Sequence, residues 1–268
     1  MENDDRQVGR ILSRREALAV LRAGGAAMLV ACSPRLSGSA RTTSSVTTLE
    51  PSRVPTQALS AANTVTLSSC IVSPEQTEGP YFVDEKLNRS DIRSDPSDGS
   101  VKEGVPLQLT LRVSEISSNN CTPIEEAIVD IWQCDALGIY SDVQDNNELF
   151  DTSRKKFLRG YQVTNANGTV QFSTIYPGWY RGRTVHIHFK VRTDPTSGQS
   201  YEFTSQLYFD DSITDRVHAQ EPYTSKGQRT VKNKRDGIFQ NGGNQLMLSL
   251  AEARQGYAAT FDIGMYMA

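Results

Sequence analysis

The sequence predicts an all-β fold with little helix, either a β-sandwich or a barrel. From about Thr64 onward, short runs rich in β-branched and aromatic residues follow one another. The run Pro106–Glu115 alternates apolar and polar residues, as a half-buried strand does. Turn motifs with Gly or Pro separate the runs, at Asn165–Gly168, Tyr176–Tyr180 and Asp194–Gly198. About six to eight strands at this spacing are typical of a sandwich or barrel.

Each further strand is predicted from a short apolar, β-branched run. In chain order these runs are Ala127–Cys134, Phe157–Thr164, Thr169–Ile175, Thr184–Thr193, Glu202–Phe209 and Tyr257–Met267. Helical patterns are sparse, and we expect only short helices near Thr214–Ala219 and near Asp145–Thr152. We expect these elements to form one domain of catalytic size over residues 64–268.

The composition is that of a soluble globular protein. Of its 268 residues, 37% are hydrophobic and 22% are charged, which is enough apolar material for a sizeable core. The net charge is -3 and the pI is about 5.7, and basic residues do not cluster outside the N-terminus. We therefore do not expect nucleic acid as a partner.

Residues 1–32 are predicted to be an export signal. Ser13-Arg14-Arg15 precedes a mostly apolar segment that ends at Cys32, the pattern of a twin-arginine (Tat) signal. The segment is too short and too polar for a good transmembrane helix. Because LVAC, ending at Cys32, resembles a bacterial lipobox, we expect a lipid anchor there and a location in the periplasm or cell envelope. An amphipathic N-terminal helix is the alternative.

Residues 33–63 are rich in Ser and Thr and have no hydrophobic period, so we expect a flexible tether. In an exported protein, two of the remaining cysteines are expected to pair. Cys121 and Cys134 flank a strand that holds them too far apart to bond directly. We therefore favour a disulfide from Cys70 to one of them, with one thiol left free, and the choice between them stays open.

Two of the three histidines lie one residue apart in TVHIHFKV. Residues two apart on a strand face the same side, so His186 and His188 direct their imidazoles to one point. Ile187 and Phe189 then face the core. Shared metal binding suits such a pair, and a hydrogen-bonded pair on a solvated sheet face is the alternative. The third histidine, His218, lies in a polar segment, and we expect it at the surface.

Tyrosines are the candidate ligands that would complete a metal site with this pair. Tyr180 follows the Pro177-Gly178 turn, and Tyr140 follows a strand and a glycine in DIWQCDALGIYSD. No glutamate follows His188 at the spacing of a cupin-type site. Phenols ionise near pH ~10, and a trivalent ion such as Fe(III) stabilises the phenolate far better than a divalent ion does.

Three segments, in this order, resemble the intradiol ring-cleavage dioxygenases, the family of catechol 1,2-dioxygenase and protocatechuate 3,4-dioxygenase. They are TEGPYF (Thr77–Phe82), DIWQCDALGIYSD (Asp130–Asp142) and PGWYRGRTVHIHF (Pro177–Phe189). The resemblance implies a β-sandwich that holds one non-haem Fe(III) and cleaves catechol-type diols with O2 to cis,cis-muconate-type products. By motif position, the implied iron ligands are Tyr140, Tyr180, His186 and His188.

The resemblance also implies catalytic roles. Tyr180 is the ligand that substrate displaces, and it then takes up a substrate proton, while Tyr140 stays bound. Arg183 stabilises negative charge that develops on the substrate, and Gln206 lies beside it. Because Arg183 is three residues before His186, a regular strand would point it away, so we expect a turn at that point.

Substrate contacts are implied for the TEGPYF segment, through Thr77, Pro80 and Tyr81, and Trp132 and Trp179 are expected to serve packing. The segment Gly227–Gly243 resembles secreted members of the family, and the sequence suggests no mechanistic role for it. The sequence lacks the long helical N-terminal region by which the catechol 1,2-dioxygenase branch dimerises, so the dimer of that branch is not carried over. A homo-oligomer of another kind stays open, as does the oligomeric state.

Two other functions compete with ring cleavage. One is a two-histidine oxygenase with a carboxylate ligand, Asp135 or Asp142, which would need a reductant or an oxo-acid cosubstrate. The other is a non-catalytic binding module tethered to the envelope. A carboxylate-bearing substrate would favour a basic residue at the pocket mouth, and nothing in the sequence ranks the candidates, which are Arg89, Arg93, Arg154 and Lys155.

Overall fold

The computed structural model describes residues 71–117, 120–146, 150–193 and 200–267. The expected signal at 1–32 with Cys32, the expected tether at 33–63, and Cys70 lie outside the described residues. The strands are β1 Pro106–Ser117, β2 Asn120–Pro123, β3 Ile128–Trp132, β4 Gln144–Asp145, β5 Phe150–Asp151, β6 Arg159–Val163, β7 Thr169–Ile175, β8 His186–Arg192, β9 Glu202–Tyr208, β10 Leu250–Glu252 and β11 Tyr257–Met265. The helix α1 is Asp211–His218, and 3-10 turns lie at Tyr223–Lys226, Asn233–Arg235 and Gly243–Leu246.

Two sheets pack on each other as a β-sandwich. The first has the order β10-β11-β1-β2, with β7 also paired to β1, and the β1–β11 pair is parallel. The second has the order β6-β3-β8-β9 and is antiparallel throughout. One continuous apolar core joins side chains from both sheets. The predicted all-β fold with little helix is confirmed.

Alternation along the strands explains which face is buried. In β1, Leu107, Leu109 and Leu111 are buried, while Gln108 and Arg112 are exposed. In β8, by contrast, both alternating sets of side chains are buried, because the face turned away from the core is buried as well. Loops cover that second face of β8, and the histidine pair lies on it.

The helix expected near Asp145–Thr152 is wrong. Gln144–Asp145 and Phe150–Asp151 instead pair as a short antiparallel hairpin. One physical reason is local, since the Asp and Asn side chains of this segment compete for backbone hydrogen bonds and disfavour a helix. The helix expected near Thr214–Ala219 is confirmed by α1, which Asp210 caps at its N-terminus.

Cys121 is disulfide-bonded, and Cys134 is a buried free thiol. The expectation that these two cysteines do not bond to each other is confirmed, and Cys134 is the one left free. Among the described residues, we find no helix long and apolar enough to cross a membrane.

Candidate active site

The histidine pair lies at the start of β8, on the face turned away from the core. His186 is opposite Tyr208 of β9, and His188 is opposite Gln206. The Nε2 atoms of the two histidines are 3.0 Å apart. His186 Nδ1 donates to the Thr184 carbonyl at 2.6 Å, so in the neutral ring Nε2 carries a lone pair directed at its neighbours.

Trp132 holds His188 in place from β3. The two residues are paired across the β3–β8 ladder, and their rings stack with centroids 4.8 Å apart and planes 9° apart. A Cβ built on Gly79 would lie 3.4 Å from His188 Cε1, so the loop before β1 closes over the imidazole. Trp132 thus packs against the site, as we expected, and it fixes the plane of His188.

The structure brings Tyr140 and Tyr180 to the same place. Tyr180 Oη is 3.2 Å from His186 Nε2. The Tyr140 ring is edge-on to the Tyr180 ring, with centroids 5.6 Å apart. The centroids of the Tyr140 and His188 rings are 6.3 Å apart. Tyr140 Oη is buried and has no hydrogen-bond partner among the described residues. A buried hydroxyl without a partner is costly, and a bound cation is one way to satisfy it.

The spacing of these donors is that of a metal site. Two donors bonded to one ion at ~2.1 Å, roughly 90–110° apart, lie ~3.0–3.4 Å from each other. The measured separations are 3.0 Å for the two imidazole nitrogens and 3.2 Å for Tyr180 Oη and His186 Nε2. No group of three or more His, Cys, Asp or Glu side chains that could hold a metal occurs in the part of the chain that the structure describes, and the further donors beside the two imidazoles are tyrosine hydroxyls.

Two glycines let the tyrosine loops meet. A Cβ on Gly138 would lie 2.0 Å from the Trp179 carbonyl oxygen, and one on Gly178 would lie 2.4 Å from that of Ala136. Gly178 N donates to the Asp135 carbonyl at 3.0 Å, which ties the two loops together. The loop before Tyr140 therefore packs backbone to backbone against the loop before Tyr180.

We expect Gly178→Ala to separate these loops. Overpacking of this kind costs about 1–3 kcal/mol of unfolding free energy and should weaken metal binding, because the tyrosine hydroxyls move apart. The matched control is Gly237→Ala, since a Cβ there meets no atom within 4 Å. Urea unfolding and metal titration of both variants check this. Wild-type stability and affinity in Gly178→Ala would contradict the interlocking of the loops.

Burial keeps all four side chains neutral in the metal-free protein. Burial and the Arg183 guanidinium lower the pKa of His186 to about 3. Burial, with the adjacent His186, holds the pKa of His188 well below its usual range. Burial raises the pKa of Tyr180 to about 12 and keeps that of Tyr140 well above its ordinary value. The imidazoles are ready to bind a cation, whereas the phenols ionise only beside a strong one.

The lowered histidine pKa values predict acid sensitivity of the metal-free protein. Between pH 6.5 and about 3 the unfolded chain binds a proton at His186 that the folded chain does not. The stabilisation is thus complete above pH 6.5 and is lost as pH falls through this window. Urea unfolding at pH 7.5 and at pH 5 should show a smaller loss of unfolding free energy in His186→Gln than in the wild type. Equal losses in the two proteins would contradict the assignment.

Arg183 points into the site, because it lies in a turn before β8 rather than in the strand. Its Nη1 is 3.5 Å from His186 Nε2. Its Nη2 donates to Gln206 Oε1 at 2.6 Å, and its Nε donates to Asp236 Oδ2 at 2.8 Å. The expected turn is confirmed. Asp236, from a segment to which the sequence suggested no role, was missed.

A second buried arginine was also missed. Arg159 of β6 is 3% exposed, and its Nε donates to Ser141 Oγ at 2.7 Å. It also donates to the backbone carbonyls of Ser141 and, at 3.2 Å, of Tyr81. It therefore ties the residue after Tyr140 to the TEGPYF loop. The signal available in the sequence was the charge of Arg159 inside the strand-like run FLRGYQVT.

The TEGPYF loop lies over the cluster. The Tyr81 ring stacks on that of Tyr140, with centroids 4.4 Å apart, and its hydroxyl donates to Asp145. The Thr77 carbonyl accepts a hydrogen bond from Gln206 Nε2 at 2.8 Å. Thr77 and Pro80 are exposed, and Tyr81 is half-buried. This loop is therefore next to the donors and open to solvent.

The expectation that His218 is a surface residue is wrong. It is half-buried on α1, where it stacks on Tyr223 with centroids 5.0 Å apart and donates to the Pro177 carbonyl at 3.0 Å. The turn before Tyr180 packs against it, and this packing buries a histidine that lies in a polar segment.

The candidate carboxylate ligands are engaged elsewhere. Asp135 accepts from the backbone N–H groups of Leu137 and Ile139, both at 3.0 Å, and pairs with Lys102 at 2.8 Å. Asp142 accepts from the backbone N–H of Arg154 at 2.5 Å. These contacts favour a tyrosine-and-histidine site over a two-histidine, one-carboxylate site.

Three of the basic candidates for the pocket mouth have partners away from the donors. Arg89 donates to backbone carbonyls, among them that of Ser94 at 2.7 Å. Arg93 pairs with Asp91 at 2.7 Å, and Lys155 pairs with Asp98 at 2.6 Å. The fourth candidate, Arg154, is exposed. None of these contacts directs a cation at the donor cluster.

Comparison with known proteins agrees with this geometry. A family model described as Dioxygenase matches residues 77–235, more than half of the chain. A solved structure of an intradiol ring-cleavage dioxygenase from Tetranychus urticae is 34% identical, covers 74% of this chain and 95% of its own, and has a TM-score of 0.63. The dioxygenase domain of a dioxygenase–carbohydrate-binding protein fusion from Streptomyces sp. SirexAA-E is 29% identical and has a TM-score of 0.51. The match covers 74% of this chain and 100% of that domain's chain.

A curated relative, chlorocatechol 1,2-dioxygenase from Pseudomonas putida, is 28% identical over 103 residues. That match spans 31% of this chain and 35% of the relative's length. The residues matched by the family model include both tyrosines, both histidines and Arg183. Together with the shared sandwich, these matches identify the chain as a member of the intradiol ring-cleavage dioxygenase family.

Proposed function

We propose that the protein is a non-haem Fe(III) dioxygenase that opens the ring of catechol-type diols between the two hydroxyls with O2, giving cis,cis-muconate-type products. The observation that carries the proposal is the convergence of donor atoms on one place. Tyr180 Oη is 3.2 Å from His186 Nε2, which is 3.0 Å from His188 Nε2, and the Tyr140 hydroxyl beside them has no hydrogen-bond partner among the described residues. The family membership supplies the reaction class.

The donor set fits a ferric ion. Two neutral imidazoles and two phenols that ionise only beside a strong cation match a hard trivalent ion better than a divalent one. When bound, Fe(III) would supply a Lewis acid that draws electron density from the catechol ring, and the diol itself would provide the electrons for O2 with no external reductant. Tyr140, Tyr180, His186 and His188 would hold it.

Tyr180 is suited to take a proton from the substrate. It is 9% exposed, whereas Tyr140 is 1% exposed, so an incoming diol reaches Tyr180 first. Burial raises the pKa of Tyr180 to about 12, so its phenolate would be a strong base toward a catechol hydroxyl. Tyr140, the more deeply buried of the two tyrosines, would be the retained ligand.

Arg183 and Gln206 would stabilise charge on the substrate. The guanidinium directs Nη1 toward the donors, and Gln206 fixes its other edge at 2.6 Å. A preorganised cation in a site with little water stabilises an anionic transition state without reorganising. Thr77, Pro80 and Tyr81 would contact the ring of the substrate, since their loop lies between the donors and solvent.

We also propose that the protein acts outside the cytoplasm. The twin-arginine pattern before the apolar N-terminal run suggests Tat export of a folded protein, and Cys32 would carry a lipid anchor to the envelope. The disulfide at Cys121 supports an oxidising compartment. Loss of membrane attachment in Cys32→Ala, seen by cell fractionation, would test the anchor, and an unchanged distribution would argue against it.

Oxygen uptake by the iron-loaded protein tests the reaction. We expect one O2 consumed per diol and a ring-opened diacid product with no reductant or oxo-acid added, using catechol, protocatechuate, hydroxyquinol and chlorinated catechols in parallel. Uptake that requires a reductant would point to the carboxylate-type oxygenase. Binding of diols without uptake would point to a binding module.

A further inference from the structure

The segment Gly227–Gly243 has no role in the proposed chemistry, yet it delivers a fully buried carboxylate to the site. We propose that Asp236 is a positioning residue that holds Arg183 in its catalytic orientation, an inference that rests on the proposed function. Asp236 is 1% exposed and lies one residue beyond the matched region 77–235.

The Asp236 carboxylate accepts four N–H donors. Oδ2 accepts from Arg183 Nε and from the Thr184 backbone N–H, both at 2.8 Å. Oδ1 accepts from the backbone N–H groups of Ile238 at 2.8 Å and Phe239 at 3.1 Å. Two carboxylate oxygens have about four lone-pair sites, so the group is fully used and has one fixed orientation.

This carboxylate determines where Arg183 points. A guanidinium is a rigid planar fork, so fixing two of its nitrogens fixes the third. Asp236 fixes Nε and Gln206 fixes Nη2, which leaves Nη1 directed at His186 Nε2, 3.5 Å away. Without Asp236 the guanidinium would keep its contact with Gln206 but lose the one that fixes its Nε edge.

The same oxygen also fixes the backbone that orients a histidine. Asp236 Oδ2 holds the Thr184 N–H, and the Thr184 carbonyl accepts from His186 Nδ1 at 2.6 Å. That bond keeps the proton on Nδ1 and the lone pair on Nε2. The Asp236 carboxylate thus orients both the Arg183 guanidinium and the His186 imidazole toward the same point.

The rest of the segment is fastened so that Asp236 cannot drift. Asn233 Oδ1 accepts from Thr184 Oγ1 at 2.6 Å. Gln76 Nε2 donates to the carbonyls of Ile238 at 3.1 Å and Asn241 at 3.0 Å. The segment is therefore bonded to the chain just before β8 on one side and to the loop before TEGPYF on the other.

Asp236→Asn is a sharp probe, because an amide cannot replace this carboxylate. Asn has a single acceptor oxygen, and its NH2 group would face two N–H donors in either orientation. It would face either Arg183 and Thr184 or Ile238 and Phe239. The matched control is Asp262→Asn, which removes the charge from an exposed Asp paired with Arg112.

Kinetics of a double-mutant cycle test the route of action. Asp236→Asn should lower kcat/KM by about 10–100-fold, mostly through kcat, while Asp262→Asn stays within about twofold of wild type. If Asp236 acts mainly through Arg183, adding Asp236→Asn to Arg183→Gln should cost much less than Asp236→Asn costs in the wild type, and the remaining loss measures the route through Thr184 and His186. Losses that multiply, or a near wild-type Asp236→Asn, would overturn the proposal.

Arginine-selective 15N NMR of the metal-free protein gives a readout independent of activity. The Arg183 Nε–H signal, identified by its absence in Arg183→Gln, should shift in Asp236→Asn. Asp262→Asn should leave that signal in place and shift the signal of Arg112. An unmoved Arg183 signal in Asp236→Asn would show that the carboxylate does not hold the guanidinium, even if the protein cleaves no diol.

Asp236→Glu covers the case in which Asp236→Asn does not fold. It keeps the charge and both oxygens but displaces them by one methylene, so we expect a folded protein with a moved Arg183 signal and a lowered kcat. A moved signal with wild-type kcat would refute the positioning role while leaving ring cleavage intact. Absence of turnover in the wild type would instead refute the proposed function.

Discussion

Tyr140→Phe is expected to remove ring cleavage and to weaken or abolish the visible tyrosinate-to-iron absorption of the iron-loaded protein. The loss should exceed the ~10–100-fold typical of outer-shell changes, because a donor itself is removed. The metal-free fold should not be weakened. Since the Tyr140 hydroxyl is buried without a partner among the described residues, deleting it should leave stability equal or raise it by about 1 kcal/mol.

Tyr176→Phe is the matched control for this prediction. Tyr176 is as buried as Tyr140, but its hydroxyl has a partner, Thr214 Oγ1, at 2.7 Å. It should lose about 0.5–1.5 kcal/mol of stability and keep the colour and the activity. Visible spectra, oxygen uptake and urea unfolding of both variants separate the two cases. A Tyr140→Phe protein that keeps full colour and turnover would remove Tyr140 from the donor set.

Arg183→Gln is expected to lower kcat by about 10²–10³-fold while iron binding and colour persist. Arg183 contributes charge and a directed N–H but no metal ligand, so only the reaction should suffer. Steady-state oxygen uptake and iron content measure the two effects separately.

The control for this change is Arg112→Gln. It breaks an exposed ion pair between Arg112 of β1 and Asp262 of the neighbouring strand β11, both in the sheet that does not contain the histidine pair. Exposed pairs are worth about 0–1 kcal/mol, so both activity and stability should stay near wild type. A small effect of Arg183→Gln on kcat, or loss of iron in that variant, would contradict the proposed role.

Local patterns predicted the strands and the histidine pair. Alternation in β1 and the His-X-His spacing in β8 each depend on side-chain direction along a single strand, which a short window of sequence contains. The sheet order depends on long-range pairing. The parallel β1–β11 contact, for example, joins Leu107 to Tyr257 and could not be derived in this way.

The meeting of distant groups was not predictable from local pattern. Tyr140 reaches Tyr180 because Gly138 and Gly178 let two backbones touch, which no spacing rule encodes. Arg183 takes its direction from Asp236, which lies 53 residues further along the chain. For the two tyrosines proposed as ligands, the resemblance of whole motifs to a family supplied what spacing alone could not.

The hairpin at Gln144–Asp145 and Phe150–Asp151 shows the same limit. Its Asp and Asn residues already disfavour a helix locally, and a tertiary contact adds to that preference. The Tyr81 hydroxyl donates to Asp145, and Tyr81 in turn stacks on Tyr140. A partner from a distant loop thus contributes to the local conformation.

Diffraction at the iron absorption edge, on crystals of the iron-loaded protein, tests the central claim most directly. We predict a single anomalous peak at ~2 Å from both histidine Nε2 atoms and from the hydroxyl oxygens of Tyr140 and Tyr180. A peak bound elsewhere, or one that leaves either tyrosine oxygen beyond bonding distance in the substrate-free protein, would contradict it.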